Sequence, residues 1–202
     1  IILKMENQDL LDLKQYALQS AILFNIIAHN GKKVEYYSNE ELIEAINLQV
    51  NITMEENLEF FENVEIDLVE ELDGIVDSVY YTAPYLEYLI KEFNTRDIKE
   101  ADNLLLKRLQ LTRTLSSYIE ENVSFSDKVV IEATNRIVEN NMSKFTKDSN
   151  AFADWKDGGM IRKSVEVDGE YYYLLVDKNG KVKKHLYFKG VSLEDLVNNE
   201  QE

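Results

Sequence analysis

The chain has 202 residues, 22 of them Lys or Arg and 38 Asp or Glu, for a formal charge of −16 with 45% hydrophobic residues. That hydrophobic share supports a sizeable core and excludes wholesale disorder. A charge of −16 argues against bulk electrostatic binding to DNA, RNA or anionic membrane; one Pro and seven Gly argue against a turn-rich all-β fold, and the absence of Cys excludes a disulfide frame, a thiolate metal site and a Cys nucleophile.

Residues 9–29 read as a helix, because Leu10, Leu13, Tyr16, Ala17, Ile22, Phe24 and Ile27 recur at near-helical spacing and Asn30-Gly31 supplies a stop. Ser38-Asn39-Glu40-Glu41 has the form of a capping box and opens a second helix to about Phe61. Asp67 opens a third, to about Phe93, in which Pro84 predicts a kink near Tyr80–Tyr81. Thr95-Arg96-Asp97 opens a fourth, to about Glu121, and Ser124 or Ser126 caps a fifth through about Asn141. After Lys144 the composition changes. Asp148-Ser149-Asn150 and Asp157-Gly158-Gly159 read as loop. Val165-Glu166-Val167, the turn Asp168-Gly169, and Glu170 to Asp177 read as strand, turn, strand. A second turn at Lys178–Lys181 leads to a strand around Val182–Phe188, and Ser192–Leu196 forms a short closing helix. The expected fold class is mainly α: a helical bundle over residues 5–145, then residues 146–202 as loop, a small β-hairpin or sheet appendage and a short helix. No apolar run approaches the roughly 20 residues of a membrane span, and no basic-then-apolar leader opens the chain, so a cytoplasmic protein is expected.

The charge is distributed unevenly. Between Val34 and Ile90 there is no Lys or Arg, while that stretch holds fifteen carboxylates. Such a zone repels itself unless something neutralises it, and a bound divalent cation is one candidate because hard cations take oxygen ligands. The alternative is an acidic, solvated face. Two stripes stand out within the zone. In Glu55-Glu56-Asn57-Leu58-Glu59, helical geometry puts Glu59 on one face with Glu56 and with Glu55. Glu70, Asp73 and Asp77 share a face of the next helix, and Gly74 removes bulk from the same stripe where a ligand or another helix approaches. Two helices joined by a short connection are usually antiparallel neighbours. The stripes would then meet, and either protons or metal ions would have to resolve the repulsion. An oxygen-only cluster favours Mg²⁺ or Mn²⁺ over zinc. Near the C-terminus the bias reverses, with Lys178, Lys181, Lys183, Lys184 and Lys189 offering cations to a phosphate or guarding an edge strand. A ferritin-like di-iron site needs Glu-x-x-His, and neither His29 nor His185 has Glu three residues before it. There is no H-E-x-x-H, P-loop, G-x-G-x-x-G or G-x-S-x-G.

These residues resemble a known family. The run from Gln49 through Glu59, followed by Glu70-Glu71-Leu72-Asp73-Gly74-Ile75-Val76-Asp77-Ser78-Val79-Tyr80, resembles the MazG-like and phosphoribosyl-ATP pyrophosphohydrolase-like proteins, the all-α nucleoside triphosphate pyrophosphatases. Glu139-Asn140-Asn141-Met142-Ser143-Lys144-Phe145 and Asp177-Lys178-Asn179-Gly180-Lys181-Val182-x-Lys184 resemble segments of its phage-type branch, which Phe24-Asn25 also fits. Together the matches touch most of the chain from about residue 20 to 197. The resemblance implies a helical homodimer or homotetramer, and Mg²⁺-dependent hydrolysis of a (deoxy)nucleoside triphosphate to the monophosphate and pyrophosphate. Carried over by position, it implies Glu56, Glu59 and Asp77 as metal ligands and Glu55 as a ligand or water-activating base alongside Glu56. The family pattern ends in Glu-x-x-Asp. If Asp77 is that Asp, Gly74 occupies the Glu position and Asp73 substitutes; if Asp73 is that Asp, Glu70 fits but the gap after Glu59 is short. Glu70, Asp73 and Asp77 therefore all stand as candidate ligands. Asn25, Asn141, Lys144, Lys181 and Lys184 stand as substrate contacts by the same resemblance. The alternative from another class is a non-catalytic acidic helical module that sequesters a nucleotide or a basic protein.

Overall fold

The computed structural model describes residues 10–96, 98, 102–152, 159–178, 181–184, 188 and 190–200. The protein is mainly helical, with a small antiparallel sheet towards its C-terminus. Helix α1 (Leu10–Ala28) ends at Asn30 and Gly31, both with positive φ. A Cβ on Gly31 would lie 2.6 Å from the Glu166 carbonyl oxygen, so glycine there lets the end of the helix dock on the sheet. A short 3₁₀ turn, Val34–Tyr36, precedes α2 (Asn39–Asn63). The capping box forms as expected: Glu41 N–H donates to Ser38 Oγ at 3.1 Å, and Ser38 N–H donates to Glu41 Oε2 at 2.6 Å.

Asp67 opens α3 (Leu68–Ile75), accepting from the N–H groups of Val69 and Glu70. The long third helix expected from sequence is divided. Val76–Thr82 winds as a π-helix, and α4 (Ala83–Asn94) resumes with Pro84 in its first turn. A proline lacks the N–H that an interior helical bond needs and crowds the preceding turn, so the widened stretch sits just upstream of it. Helix α5 runs Asn103–Glu121, later than Thr95-Arg96-Asp97 predicts. Thr95 closes α4 instead, its hydroxyl donating to the Glu92 carbonyl at 2.7 Å, and Asp102 caps α5 through Leu104 N–H. Asp97 lies outside the described residues. Helix α6 (Asp127–Met142) begins after Ser126, while the Ser124 hydroxyl donates to Glu71 Oε1 at 2.7 Å.

The sheet has order β1-β2-β3, built from β1 (Ile161–Val167), β2 (Glu170–Val176) and β3 (Val182–Lys183). Strand β1 starts earlier than the sequence pattern predicts, because Ile161 pairs Val176 across the hairpin. Of the remainder of the expected third strand, Lys184 and Phe188 are described without strand pairing. Helix α7 (Glu194–Glu200) closes the described chain, and Leu193 and Val197 pack with Leu72, Val76, Ala133 and Ile137.

The sheet is not detached from the bundle. Val165, Val167, Leu174 and Val176 share a buried cluster with Ile26 and Ile27 of α1 and with Phe145 just after α6. Bundle helices meet in two further clusters, one built on Leu42, Ile46, Val50, Leu86, Leu89, Leu105 and Leu109, the other on Leu13, Phe60, Ile75, Val79, Ile119 and Val130. No helix among the described residues is long and apolar enough to cross a membrane.

Candidate functional site

A cavity of about 760 Å³ opens where α1, α2, α3, the π-helix, α4 and α6 converge, and Lys184, Phe188 and residues 190–194 line one side of it. Each helix contributes a stripe set by its own periodicity. Gln49, Ile52 and Glu56 come from α2, Val69, Glu70 and Asp73 from α3, Asp77, Tyr81 and Thr82 from the π-helix, and Ala21, Phe24 and Asn25 from α1. The stripes are held close by two packing features. A Cβ on Gly74 would lie 3.1 Å from Phe60 Cα, so glycine lets α3 approach the α2 backbone; the approaching partner is a helix and not a ligand. Beside it, Asn57 is fully buried and its side chain is saturated. Its Nδ2 donates to the Thr112 carbonyl at 3.2 Å and to Ser116 Oγ at 3.1 Å, while Oδ1 accepts from the hydroxyls of Ser78 and Ser116. This network ties α2, the π-helix and α5 together at the residues that follow Glu56 and Asp77 in sequence.

The acidic wall holds three carboxyls whose ionisation the fold opposes. Burial is the main cause for each. Asp77 faces the cavity and is otherwise enclosed by protein; burial first, then Asp73 and Glu56, push its carboxyl well above the carboxylate range against the pull of Lys144. Glu56 is raised to about 7 by burial, then by Glu59, Asp73 and Glu55. Asp73 is raised to about 6 by burial, then by Glu70 and Glu59, with Lys184 opposing. Glu70 lines the same wall. Glu59 is exposed at its rim and adds its charge to the cluster. Glu55 is exposed and does not line the cavity: one residue's rotation from Glu56 turns its side chain outward. The neighbours Glu70 and Glu71 divide in the same way. Glu71 is buried, accepting from Glu65 N–H at 2.9 Å and from Ser124, and has a structural place.

The basic wall faces them. Lys144 follows α6, and its Nζ donates to Asn141 Oδ1 at 3.0 Å and lies 5.4 Å from the centre of the Phe24 ring. Burial and the nearby Lys184 lower its pKa, and Asp77 resists that shift. Lys184 also lines the cavity, with Nζ 4.7 Å from the Phe188 ring centre. Lys181 stands at the exposed turn before β3, where its N–H donates to Asp177 Oδ1 at 3.0 Å; it is not a lining residue, although its charge reaches Lys144. Asn25 and Asn141 line the cavity, Asn25 Nδ2 donating to the Ala21 carbonyl at 2.8 Å.

Tyr81 and Tyr85 also line the cavity, and so do Gln49 and Asn140, which were not singled out from sequence. Asn140 Oδ1 is buried with no hydrogen-bond partner among the described residues; its signal was its place beside Asn141 in the Asn-Asn-Met-Ser-Lys run.

The donor set on the acidic wall is oxygen only, which suits Mg²⁺ or Mn²⁺. Among the described residues no three carboxylate or imidazole groups form a ready metal-binding group. Mg²⁺ needs no closed cage: it keeps several waters and is usually held by one or two carboxylates plus substrate phosphates. Carboxyls with raised pKa, clustered in a cavity and only partly offset by Lys144 and Lys184, fit that mode of binding. Compared with protein-family models, curated proteins and solved structures, the chain matches none.

Proposed function

We propose that the protein is a nucleoside triphosphate pyrophosphohydrolase, with Mg²⁺ held by Glu56, Asp73 and Asp77 and with Glu59 and Glu70 beside them. The observation that carries this reading is the opposition of an acidic wall (Glu56, Glu70, Asp73 and Asp77) and a basic wall (Lys144 and Lys184) across one cavity. A triphosphate is the kind of ligand that needs both, since its charge calls for lysines and for a divalent cation. Bound Mg²⁺ would offset phosphate charge at the reacting centre. The ammonium groups of Lys144 and Lys184 bind phosphate oxygens and favour departure of pyrophosphate. Asn25, Asn140 and Asn141 offer amide hydrogen bonds, and Phe24, Tyr81 and Tyr85 supply flat apolar walls against which a base and sugar rest.

In the reaction, water oxygen bonds to the α-phosphorus and the bond from that phosphorus to the α–β bridging oxygen breaks. The monophosphate and pyrophosphate leave. Glu56 takes the water proton on a carboxylate oxygen, as a general base placed at the reacting centre. Glu55, turned outward, is not assigned that role.

The test is direct. Purified protein is incubated with each canonical and several modified triphosphates and Mg²⁺, and products are separated by ion-exchange chromatography. Pyrophosphate and monophosphate should appear in equal amounts, and Asp77→Asn should abolish both. If no triphosphate gives pyrophosphate, the enzyme reading fails. A module that only sequesters a nucleotide would use the same cavity, bind stoichiometrically and return its ligand unchanged.

A further inference from the structure

The cavity has a second end, away from its carboxyls and lysines. Gln49 precedes Glu56 by two turns of α2, about 10 Å along the helix axis. Ile46 and Val50, which flank Gln49, share a buried cluster with Ala21 of α1 and Tyr85 of α4, and Tyr81 packs against that cluster. Asn25 lies one turn after Ala21. It follows Phe24, whose ring reaches back towards Lys144. Gln49, Asn25, Ala21, Tyr81 and Tyr85 all line the cavity, so the two amides stand at its aromatic end.

Each amide is held one way round. Gln49 is only 7% exposed, and its Nε2 donates to the Thr82 carbonyl at 3.1 Å. Asn25 Nδ2 donates to the Ala21 carbonyl at 2.8 Å. A backbone carbonyl only accepts, so the nitrogen of each amide is the atom turned to the wall and the oxygen the atom turned away from it. Neither oxygen is enclosed, neither has a hydrogen-bond partner among the described residues, and both belong to side chains that line the cavity. Neighbouring hydroxyls do not change this character. The Thr82 proton goes to the Ser78 carbonyl at 3.4 Å, and the Tyr81 hydroxyl is enclosed by protein. The cationic donors, Lys144 and Lys184, serve the phosphate end. What the aromatic end presents to a ligand is a pair of fixed acceptors.

We infer, on the reading of the cavity as a nucleoside triphosphate site, that Gln49 and Asn25 read the base and select one with an exocyclic amino group on its outer edge. Cytosine and adenine carry that group; uracil, thymine and hypoxanthine carry a carbonyl oxygen in its place. An amino group has two N–H donors, one for each amide oxygen. The ring N–H of an oxo base satisfies one acceptor only, and its carbonyl oxygen then faces the other. Neither amide can turn over to help, because its oxygen would then face the wall carbonyl that its nitrogen now serves. A site built to hydrogen-bond a substrate group rejects the analogue that lacks it, since its own buried polar atoms are left unpaired.

The test uses matched pairs that differ at that one group, dCTP against dUTP and dATP against dITP. Cleavage is followed as pyrophosphate release. Binding is followed separately, by calorimetric titration with the α,β-methylene analogues of dCTP and dUTP in Mg²⁺, which cannot be cleaved at that bridge. Wild type should favour the amino member of each pair by about tenfold or more, in kcat/KM and in affinity. In Gln49→Met, which keeps the length of the side chain and removes the acceptor, the preference should fall below about threefold. A glutamine that only held the wall in shape would weaken both members alike and leave their ratio unchanged. Cleavage with an equal or reversed wild-type ratio overturns the proposal and leaves the enzyme standing. Tighter binding of the dCTP analogue with no pyrophosphate from any triphosphate supports the proposal and overturns the enzyme. Neither binding nor cleavage overturns both, and an unchanged ratio in Gln49→Met overturns the role of Gln49. Should Gln49→Met fail to fold, Asn25→Leu, at a half-buried position, carries the same comparison.

Discussion

Asp73→Asn should make the cation-free protein more stable at pH 8 and less responsive to Mg²⁺. The folded protein raises the Asp73 carboxyl from 3.8 to about 6, chiefly by burial. A raised acid pKa means that the fold disfavours the charged form. Asp73 thus costs nothing below the unfolded pKa, and its cost grows as pH rises towards the folded pKa and is complete above it. One pKa unit is worth about 1.36 kcal/mol, so the full shift corresponds to about 3 kcal/mol at most. Asp73 faces a water-accessible cavity, which screens part of that, and about 1–2 kcal/mol is the usable figure. For a chain of this size that is a rise of about 2–8 °C in Tm for the asparagine variant at pH 8. At pH 5, where the folded-state carboxyl is mostly protonated, about half of the difference should vanish. The assay is a calorimetric melt of both proteins with EDTA at the two pH values, repeated over a Mg²⁺ series. Wild type should gain stability with cation concentration, by about 2.7 kcal/mol at one hundred times Kd, and the variant should gain less. If Asp73→Asn melts below wild type at pH 8 in EDTA, then Lys184 and its surroundings already satisfy the charge, and the case for a cation site falls.

Three other expectations concern single residues. Glu56→Gln should slow pyrophosphate release at least 100-fold without lowering the Tm in EDTA, whereas Glu55→Gln should change the rate less than threefold; a reversed pattern in steady-state kinetics would move the base to Glu55. Gly74→Ala should lower stability in urea titration by about 1 kcal/mol or more, because crowding against the Phe60 backbone outweighs the gain in helix propensity; a more stable variant would mean that α2 and α3 separate freely. Asn57→Leu should lose about 1–3 kcal/mol, since Ser78 and Ser116 would be left with unmet hydroxyls in the core, and an unchanged midpoint would show that the network is dispensable.

How much could be read before folding depends on range. Ser38 with Glu41, the turn at Asp168-Gly169 and the cap at Asp67 act over a few residues, and each forms where the chain predicts it. Thr95 misled because a hydroxyl serves equally at the end of one helix or the start of the next; the neighbouring Arg96 is drawn back to the carbonyls of Val34 and Tyr37, contacts that no local pattern reveals. The break before α4 was signalled by Pro84, but its form, a π-helix that carries Asp77, comes from packing against α1, α2 and α6.

The sequence by itself determined that this protein is mostly helical, that its acids cluster where no cation is near in the chain, and that candidate carboxylates recur at helical intervals, because periodicity and capping are local properties. Only the tertiary structure decided that Glu56 faces inward and Glu55 outward, that Glu71 is structural while Glu70 lines the wall, and that Lys144 and Lys184 stand across the cavity from Asp73 and Asp77. Those outcomes depend on which face of each helix is buried and against what. Side chains far apart along the chain acquire a common solvent and a common electric field only when the core brings their helices together.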